Sequence, residues 1–87
     1  MPHFVTRLRV QDYAQWRANW ERHQEMRHAG GVRSAQLLRH REDPNEVVVL
    51  LEFADHDQGR RWADSEGVRE ANRLGGVVEA TRYFPEP

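Results

Sequence analysis

Residues 47–53 (VVVLLEF) restrict the fold of this chain more than any other stretch. Every side chain from 47 to 51 is Val or Leu, so the strand that they predict is apolar on both faces and buried on both sides. The chain has 87 residues, which predicts one small domain spanning residues 1–87. A sheet that contains such a strand needs a cover on each of its two faces.

Three further strands are predicted around this one. Residues 3–10 (HFVTRLRV) alternate, with apolar side chains and Thr6 on one face and mostly charged ones on the other. Residues 32–41 (VRSAQLLRHR) predict a weaker strand, and the turn-forming residues 42–46 (EDPNE) join it to residues 47–53 as a hairpin. Residues 77–84 (VVEATRYF) predict the last strand.

Two helical segments separate these strands. Residues 12–31 (DYAQWRANWERHQEMRHAGG) predict one helix that begins at the N-cap Asp12 and ends at Gly30 and Gly31. A second helix is predicted from the N-cap Asp55, with a bend near residues 64–67 and an end at Gly75 and Gly76.

The element order βαββαβ predicts an α+β, ferredoxin-like fold, with a four-stranded antiparallel sheet and two helices on one face. The simplest cover for the other face is a second copy, so we expect a homodimer that packs sheet to sheet about a two-fold axis. Arg7 and Arg9 lie on that face, and Glu52 or Glu79 is the expected ion-pair partner.

Composition excludes several classes of partner. The chain has 13 basic and 14 acidic residues without long blocks of either sign, so nucleic acid and anionic membranes are not expected partners. There is no apolar run of about 18 residues and no signal-peptide layout, which predicts a cytoplasmic protein. The absence of Cys excludes disulfides and cysteine-ligated metals.

The first helix is chemically unusual on the side that faces the sheet. At about 100° per residue, that side changes from aromatic to polar along its length. It comprises Tyr13, Trp16, Trp20, His23, Gln24 and Arg27. Because a packed core rejects an imidazole, an amide and a guanidinium, the end of the helix is either exposed or lines a polar cavity.

The chain resembles the antibiotic-biosynthesis-monooxygenase-like group of the dimeric α/β-barrel proteins. The resemblance rests on residues 10–16 (VQDYAQW), 29–53 (AGGVRSAQLLRHREDPNEVVVLLEF) and 65–77 (SEGVREANRLGGV). It implies a cavity between helices and sheet that takes a flat aromatic or polyketide-derived molecule. The implied activity is oxygenation without a cofactor, or a related proton transfer, cyclisation or isomerisation.

Within such a cavity, His23 is the candidate acid/base and Arg27 the candidate stabiliser of a substrate anion. The candidate substrate-binding residues are Tyr13, Trp16, Trp20, Gln24, Trp62 and Asn72. Each residue also has a structural alternative. His23 and Asn72 could be exposed, Arg27 could lie along the helix end, and the indoles could fill a core.

Two alternatives concern the function as a whole. The chain could be a non-catalytic ligand-binding or accessory dimer, which an interior without room for a ligand of about 300 Å³ would favour. A metal site is not expected, because His23 and His28 lie on different helix faces and HEXXH is absent. Haem-degrading relatives typically use an Asn on the first strand, and residues 3–10 contain none.

Overall fold

The computed structural model describes residues 1–86. The chain forms four strands and four helices. In chain order they are β1 His3–Val10, α1 Tyr13–Arg22, α2 Gln24–Ala29, β2 Ser34–Arg39, β3 Glu46–Glu52, α3 His56–Ala63, α4 Glu66–Leu74 and β4 Val77–Tyr83. The strands form one antiparallel sheet in the order β2-β3-β1-β4. The predicted ferredoxin-like fold is confirmed, although each of the two predicted helical segments is divided in two.

Strand β3 lies in the middle of the sheet, between β2 and β1, as its apolar sequence predicts. Val47, Val49 and Leu51 are buried beneath the helices, with at most 6% of each residue exposed. Val48 and Leu50 lie on the opposite face and are half-buried. One apolar face of β3 therefore belongs to the core, and the other lies on the open face of the sheet.

Aromatic side chains join the helices to the sheet. The rings of Phe4 and Phe53 meet edge to face, with centroids 5.4 Å apart. Trp16 is 3% exposed and stacks on Trp20 with centroids 5.5 Å apart. Helix α3 comes so close to β1 at Gly59 that an added Cβ would lie 2.1 Å from Cε1 of Phe4.

The helix predicted over residues 12–31 is interrupted at His23. There the backbone N–H bonds to Trp20 O at 3.2 Å instead of continuing the ladder to Asn19 O. The His23 imidazole takes the vacated carbonyl, with Nδ1 2.7 Å from Asn19 O. A side chain therefore competes with the backbone for a helical acceptor, and the chain turns before α2 begins.

The other helical prediction is confirmed, including its bend. Asp55 caps α3 by accepting from Gln58 N at 2.8 Å. Ser65 caps α4 by accepting from Val68 N at 3.2 Å, so the chain restarts a helix where the sequence predicts. Gly75 and Gly76 follow the end of α4, and Gly76 has a positive φ of 72°.

Ion pairs border the open face of the sheet, with partners that partly differ from those expected. Arg7 forms a two-pronged pair with Glu46 at 3.0 and 2.9 Å, which holds the pKa of Glu46 below its ordinary value. Glu79, an expected partner, lies 3.8 Å from Arg7. Glu52 was the wrong alternative, because the antiparallel register places it opposite His3, at the far end of β1.

None of the helices in residues 1–86 has the length and apolar character to cross a bilayer.

The contact at Gly59 generates a stability prediction. Gly59→Ala should lower the free energy of unfolding by about 1–3 kcal/mol, because the new methyl group overlaps the Phe4 ring. Gly67→Ala is the matched control within a helix, since its Cβ would meet nothing closer than Met26 Sδ at 3.4 Å. That variant should be neutral or more stable by up to ~1 kcal/mol. Urea unfolding measures both, and equal effects would contradict the close packing of α3 on β1.

Candidate functional site

A cavity of about 80 Å³ lies between the helices and the buried face of the sheet. Its wall is largely apolar and includes Phe4, Trp16, Trp62 and Val68. The polar side chains that line it are Thr6, Asn19, His23, Arg27, Asn72 and Arg82. The predicted polar cavity at the end of the first helical segment is therefore present.

Six of the eight predicted site residues line this cavity. They are His23, Arg27, Trp16, Trp20, Trp62 and Asn72. The two alternatives for the indoles, core residue and cavity wall, are compatible, because Trp16 belongs to the core and also lines the cavity.

Tyr13 and Gln24, the other two predicted site residues, do not line this cavity. Tyr13 stands at the start of α1, where its ring is covered by the Arg39 guanidinium, whose Cζ is 3.7 Å from the ring centroid. Gln24 is exposed at the first position of α2. A helical wheel drawn over residues 12–31 assumes the continuity that His23 breaks.

The contact of His23 defines which ring nitrogen is available for chemistry. A backbone carbonyl only accepts hydrogen bonds, so Nδ1 carries the proton in the contact of 2.7 Å with Asn19 O. In the neutral imidazole, Nε2 then holds the lone pair. The main chain of α1 thereby fixes the tautomer in which His23 can accept a proton.

Arg27 is a buried cation with little compensation from the protein. The residue is 8% exposed, its Nη1 donates to Trp20 O at 2.6 Å, and its Cζ lies 3.6 Å from the centroid of a Trp20 ring. Within residues 1–86, no carboxylate lies within 4.0 Å of it. Burial lowers the pKa of Arg27, and the more distant Glu21 carboxylate opposes this effect in part. A guanidinium stays charged at neutral pH despite such a shift.

The two alternatives for Arg27 prove compatible. Trp20 O belongs to the last turn of α1, where the helix dipole favours a cation. The same guanidinium lines the cavity and has five N–H groups, of which one is used in this bond. The remaining donors are free to meet a ligand.

Arg82 is a second cation at the cavity, and the sequence did not single it out. It lies opposite Thr6 in the register of β4 on β1, which turns it toward the helices. Among residues 1–86, no Asp or Glu lines the cavity. The electrostatic character of the site is therefore positive, with two guanidinium groups and an imidazole.

Asn19 is the other functional candidate that the sequence did not single out. It is 7% exposed, and its Nδ2 donates to Ala71 O at 2.9 Å, which ties α1 to α4. Its spacing could have identified it, since Asn19 follows Trp16 by three residues and precedes His23 by four, which places it on the same side of the helix. Its carbonyl O is also the acceptor that holds the His23 ring.

Residues 1–86 contain no group of three or more His, Asp or Glu side chains placed to hold a metal ion.

The comparisons with known proteins agree with this architecture. Residues 5–74 match the family model described as antibiotic biosynthesis monooxygenase. The chain belongs to the antibiotic biosynthesis monooxygenase family. No curated protein sequence matches the chain.

Solved structures share the fold of this family member at low sequence identity. SnoaB, a cofactor-independent oxygenase from Streptomyces nogalater, is 22% identical with a TM-score of 0.75, over 99% of this chain and 93% of that one. A protein from Bordetella bronchiseptica assigned to the antibiotic biosynthesis monooxygenases is 15% identical with a TM-score of 0.82, over 99% and 95%. One from Deinococcus radiodurans is 15% identical with a TM-score of 0.69, over 100% and 94%.

The weakly compensated charge of Arg27 leads to a prediction about stability. Arg27→Met should change the free energy of unfolding by less than about 1 kcal/mol, because the lost bond to Trp20 O is offset by relief of a buried charge. Arg22→Met, at an exposed position of α1, is the control for removing one positive charge. A loss of about 3 kcal/mol or more in urea unfolding would show that Arg27 is instead a paired structural residue.

Proposed function

We propose that this family member oxygenates a flat, electron-rich aromatic or polyketide-derived molecule without a cofactor, or catalyses a related proton transfer or cyclisation. The observation that carries the proposal is that His23 and Arg27 line one cavity to which residues 1–86 contribute no Asp or Glu. Trp20 and Trp62 supply flat apolar walls beside these groups. The description of SnoaB as a cofactor-independent oxygenase supports the same reaction type.

The chemistry assigned to the residues begins with a proton transfer. His23 Nε2 accepts a proton from an acidic C–H or phenolic O–H of the substrate, and the resulting anion is held by the free N–H donors of Arg27. The absence of Asp and Glu from the wall favours this anion, because no neighbouring negative charge repels it.

For an anthrone, the oxidation then balances with O₂ as the only oxidant. The anion passes one electron to O₂, and the substrate radical and superoxide combine to form a C–O bond. Protonation gives a hydroperoxide, which loses water to leave a carbonyl at the former CH₂ carbon. One oxygen atom enters the product and the other leaves as water.

The role of His23 is tested by turnover of 1,8-dihydroxyanthrone in air, with O₂ uptake and quinone absorbance as readouts. His23→Asn removes the base while keeping an amide donor for Asn19 O, and should lower kcat by about 100-fold or more. His40→Asn is the control, because His40 lies in an exposed turn and accepts backbone N–H groups that an Asn oxygen can also reach. Full activity in His23→Asn would rule out the assigned base.

A non-catalytic ligand-binding or accessory role is the second candidate, and the volume of the cavity favours it. The cavity measures about 80 Å³. A drug-sized ligand site has a volume of at least about 300 Å³. Binding of an anthrone without turnover by the wild-type protein would support this role over the oxygenase.

We further propose that a second copy of the chain covers the open face of the sheet. The register places Leu50, Val5 and Tyr83 side by side across three strands, with Val48 and Leu38 beside them. Tyr83 is 57% exposed and Leu38 is 45% exposed. A sheet face with this much accessible apolar surface is suited to burial against its own copy.

Leu50→Lys should convert the dimer to a monomer in sedimentation velocity, because it places a charge in the apolar band of the open face. Leu74→Lys, at an apolar position of α4 that is 48% exposed, should leave the dimer intact. A wild-type monomer, or a dimer that survives Leu50→Lys, would contradict this assembly.

A further inference from the structure

The wall of the cavity between helices and sheet contains a sulfur atom. The chain has two methionines and no cysteine; Met26 lines the cavity, whereas Met1 is 64% exposed. Met26 is half-buried on α2, three residues after His23 and immediately before Arg27, and both of these residues line the same space. The thioether therefore lies in the part of the wall that carries the candidate base and the buried cation.

The size of the cavity decides which oxidants reach this sulfur. A water molecule occupies about 30 Å³ of liquid water, so a space of about 80 Å³ has room for hydrogen peroxide but not for a bulky peroxide such as tert-butyl hydroperoxide. Phe84 also lines the cavity and is 44% exposed, so the space reaches the surface of the chain. Hydrogen peroxide therefore has a route to Met26 through the cavity.

The surroundings of Met26 suit the transfer of an oxygen atom from this peroxide. A thioether is polarizable and carries no proton that must leave before it acts as a nucleophile. The sulfur attacks one peroxide oxygen, the O–O bond breaks, and the proton on the transferred oxygen moves to the departing one. The thioether becomes a sulfoxide and the peroxide becomes water. Negative charge develops on the departing oxygen, and the N–H donors of Arg27 in the same wall favour it.

Oxidation at Met26 would alter the contact between α2 and α4. The sulfur lies against the first turn of α4, where a Cβ added at Gly67 would be 3.4 Å from Met26 Sδ. A sulfoxide adds an oxygen atom to that sulfur and makes an apolar part of the wall polar. The new oxygen either presses on α4 or occupies part of the cavity, and both positions oppose the present packing.

We propose that Met26 is a site of oxidative modification, where hydrogen peroxide that enters the cavity converts the thioether to a sulfoxide and loosens the packing of α2 on α4. The position of Met26 in the cavity wall carries this inference, which does not depend on the oxygenase reaction. The modification is reversible, because methionine sulfoxide reductases return the sulfoxide to the thioether.

Selectivity for the size of the oxidant tests the route through the cavity. The wild-type protein is treated with hydrogen peroxide or tert-butyl hydroperoxide, with N-acetylmethionine amide in the same solution as a freely accessible reference. Trypsin releases Met26 in the peptide of residues 23–27, in which mass spectrometry measures the sulfoxide. The oxidation rate of Met26 relative to the reference should be at least about tenfold lower with tert-butyl hydroperoxide than with hydrogen peroxide. An equal relative rate for both peroxides, or a Met26 that hydrogen peroxide leaves intact, would overturn the proposal.

Met26→Leu is the matched variant for the effect on packing, because Leu keeps an apolar side chain of similar volume without the sulfur. Hydrogen peroxide should lower the Tm of the wild-type protein by about 5 °C and leave the Tm of Met26→Leu unchanged. Methionine sulfoxide reductases and a thiol should restore the wild-type Tm. A sulfoxide at Met26 with an unchanged Tm, or an equal loss of Tm in the two proteins, would contradict the loosened packing of α2 on α4.

Discussion

The hydrogen bond from His23 Nδ1 to Asn19 O connects the fold of this protein to its candidate chemistry. It satisfies a carbonyl that the backbone N–H of His23 leaves when that group bonds to Trp20 O. The bond thereby satisfies a carbonyl at the end of α1 and fixes the imidazole tautomer. Arg27, four residues after His23, donates back to Trp20 O in the last turn of α1.

The buried guanidinium of Arg27 carries a free-energy cost that this hydrogen-bonded arrangement offsets only in part. Burial of a cation opposes folding unless hydrogen bonds or an opposite charge compensate it, and Arg27 receives one carbonyl bond and the face of an indole. An anionic ligand would complete the compensation and would act against the lowering of the Arg27 pKa. The proposed substrate anion would therefore add the compensation that the protein supplies only in part.

Much of the fold could be predicted from the sequence, because alternation and end signals are local. The apolar residues of β3, the alternation in β1 and the caps at Asp55 and Ser65 each depend on near neighbours along the chain. The interruption at His23 could not be predicted in this way. It results from a side chain outcompeting a backbone donor, and no spacing rule distinguishes that from a continuous helix.

The candidate site could be predicted to the extent that it depends on a single helical segment. Trp20, His23 and Arg27 line one cavity across the interruption, although Gln24, predicted on the same face, is exposed. Arg82 reaches the cavity through the register of β4 on β1, which is a relation between distant segments.

Both points at which a helical segment is divided lie beside residues that line the cavity. The turn at His23 separates α1 from α2, and the turn at Asp64 and Ser65 separates α3 from α4. Trp62 precedes the second interruption by two residues, as Trp20 precedes the first by three. Two of the aromatic side chains in the cavity wall, Trp20 and Trp62, thus lie within one turn of the points where the helical segments are divided.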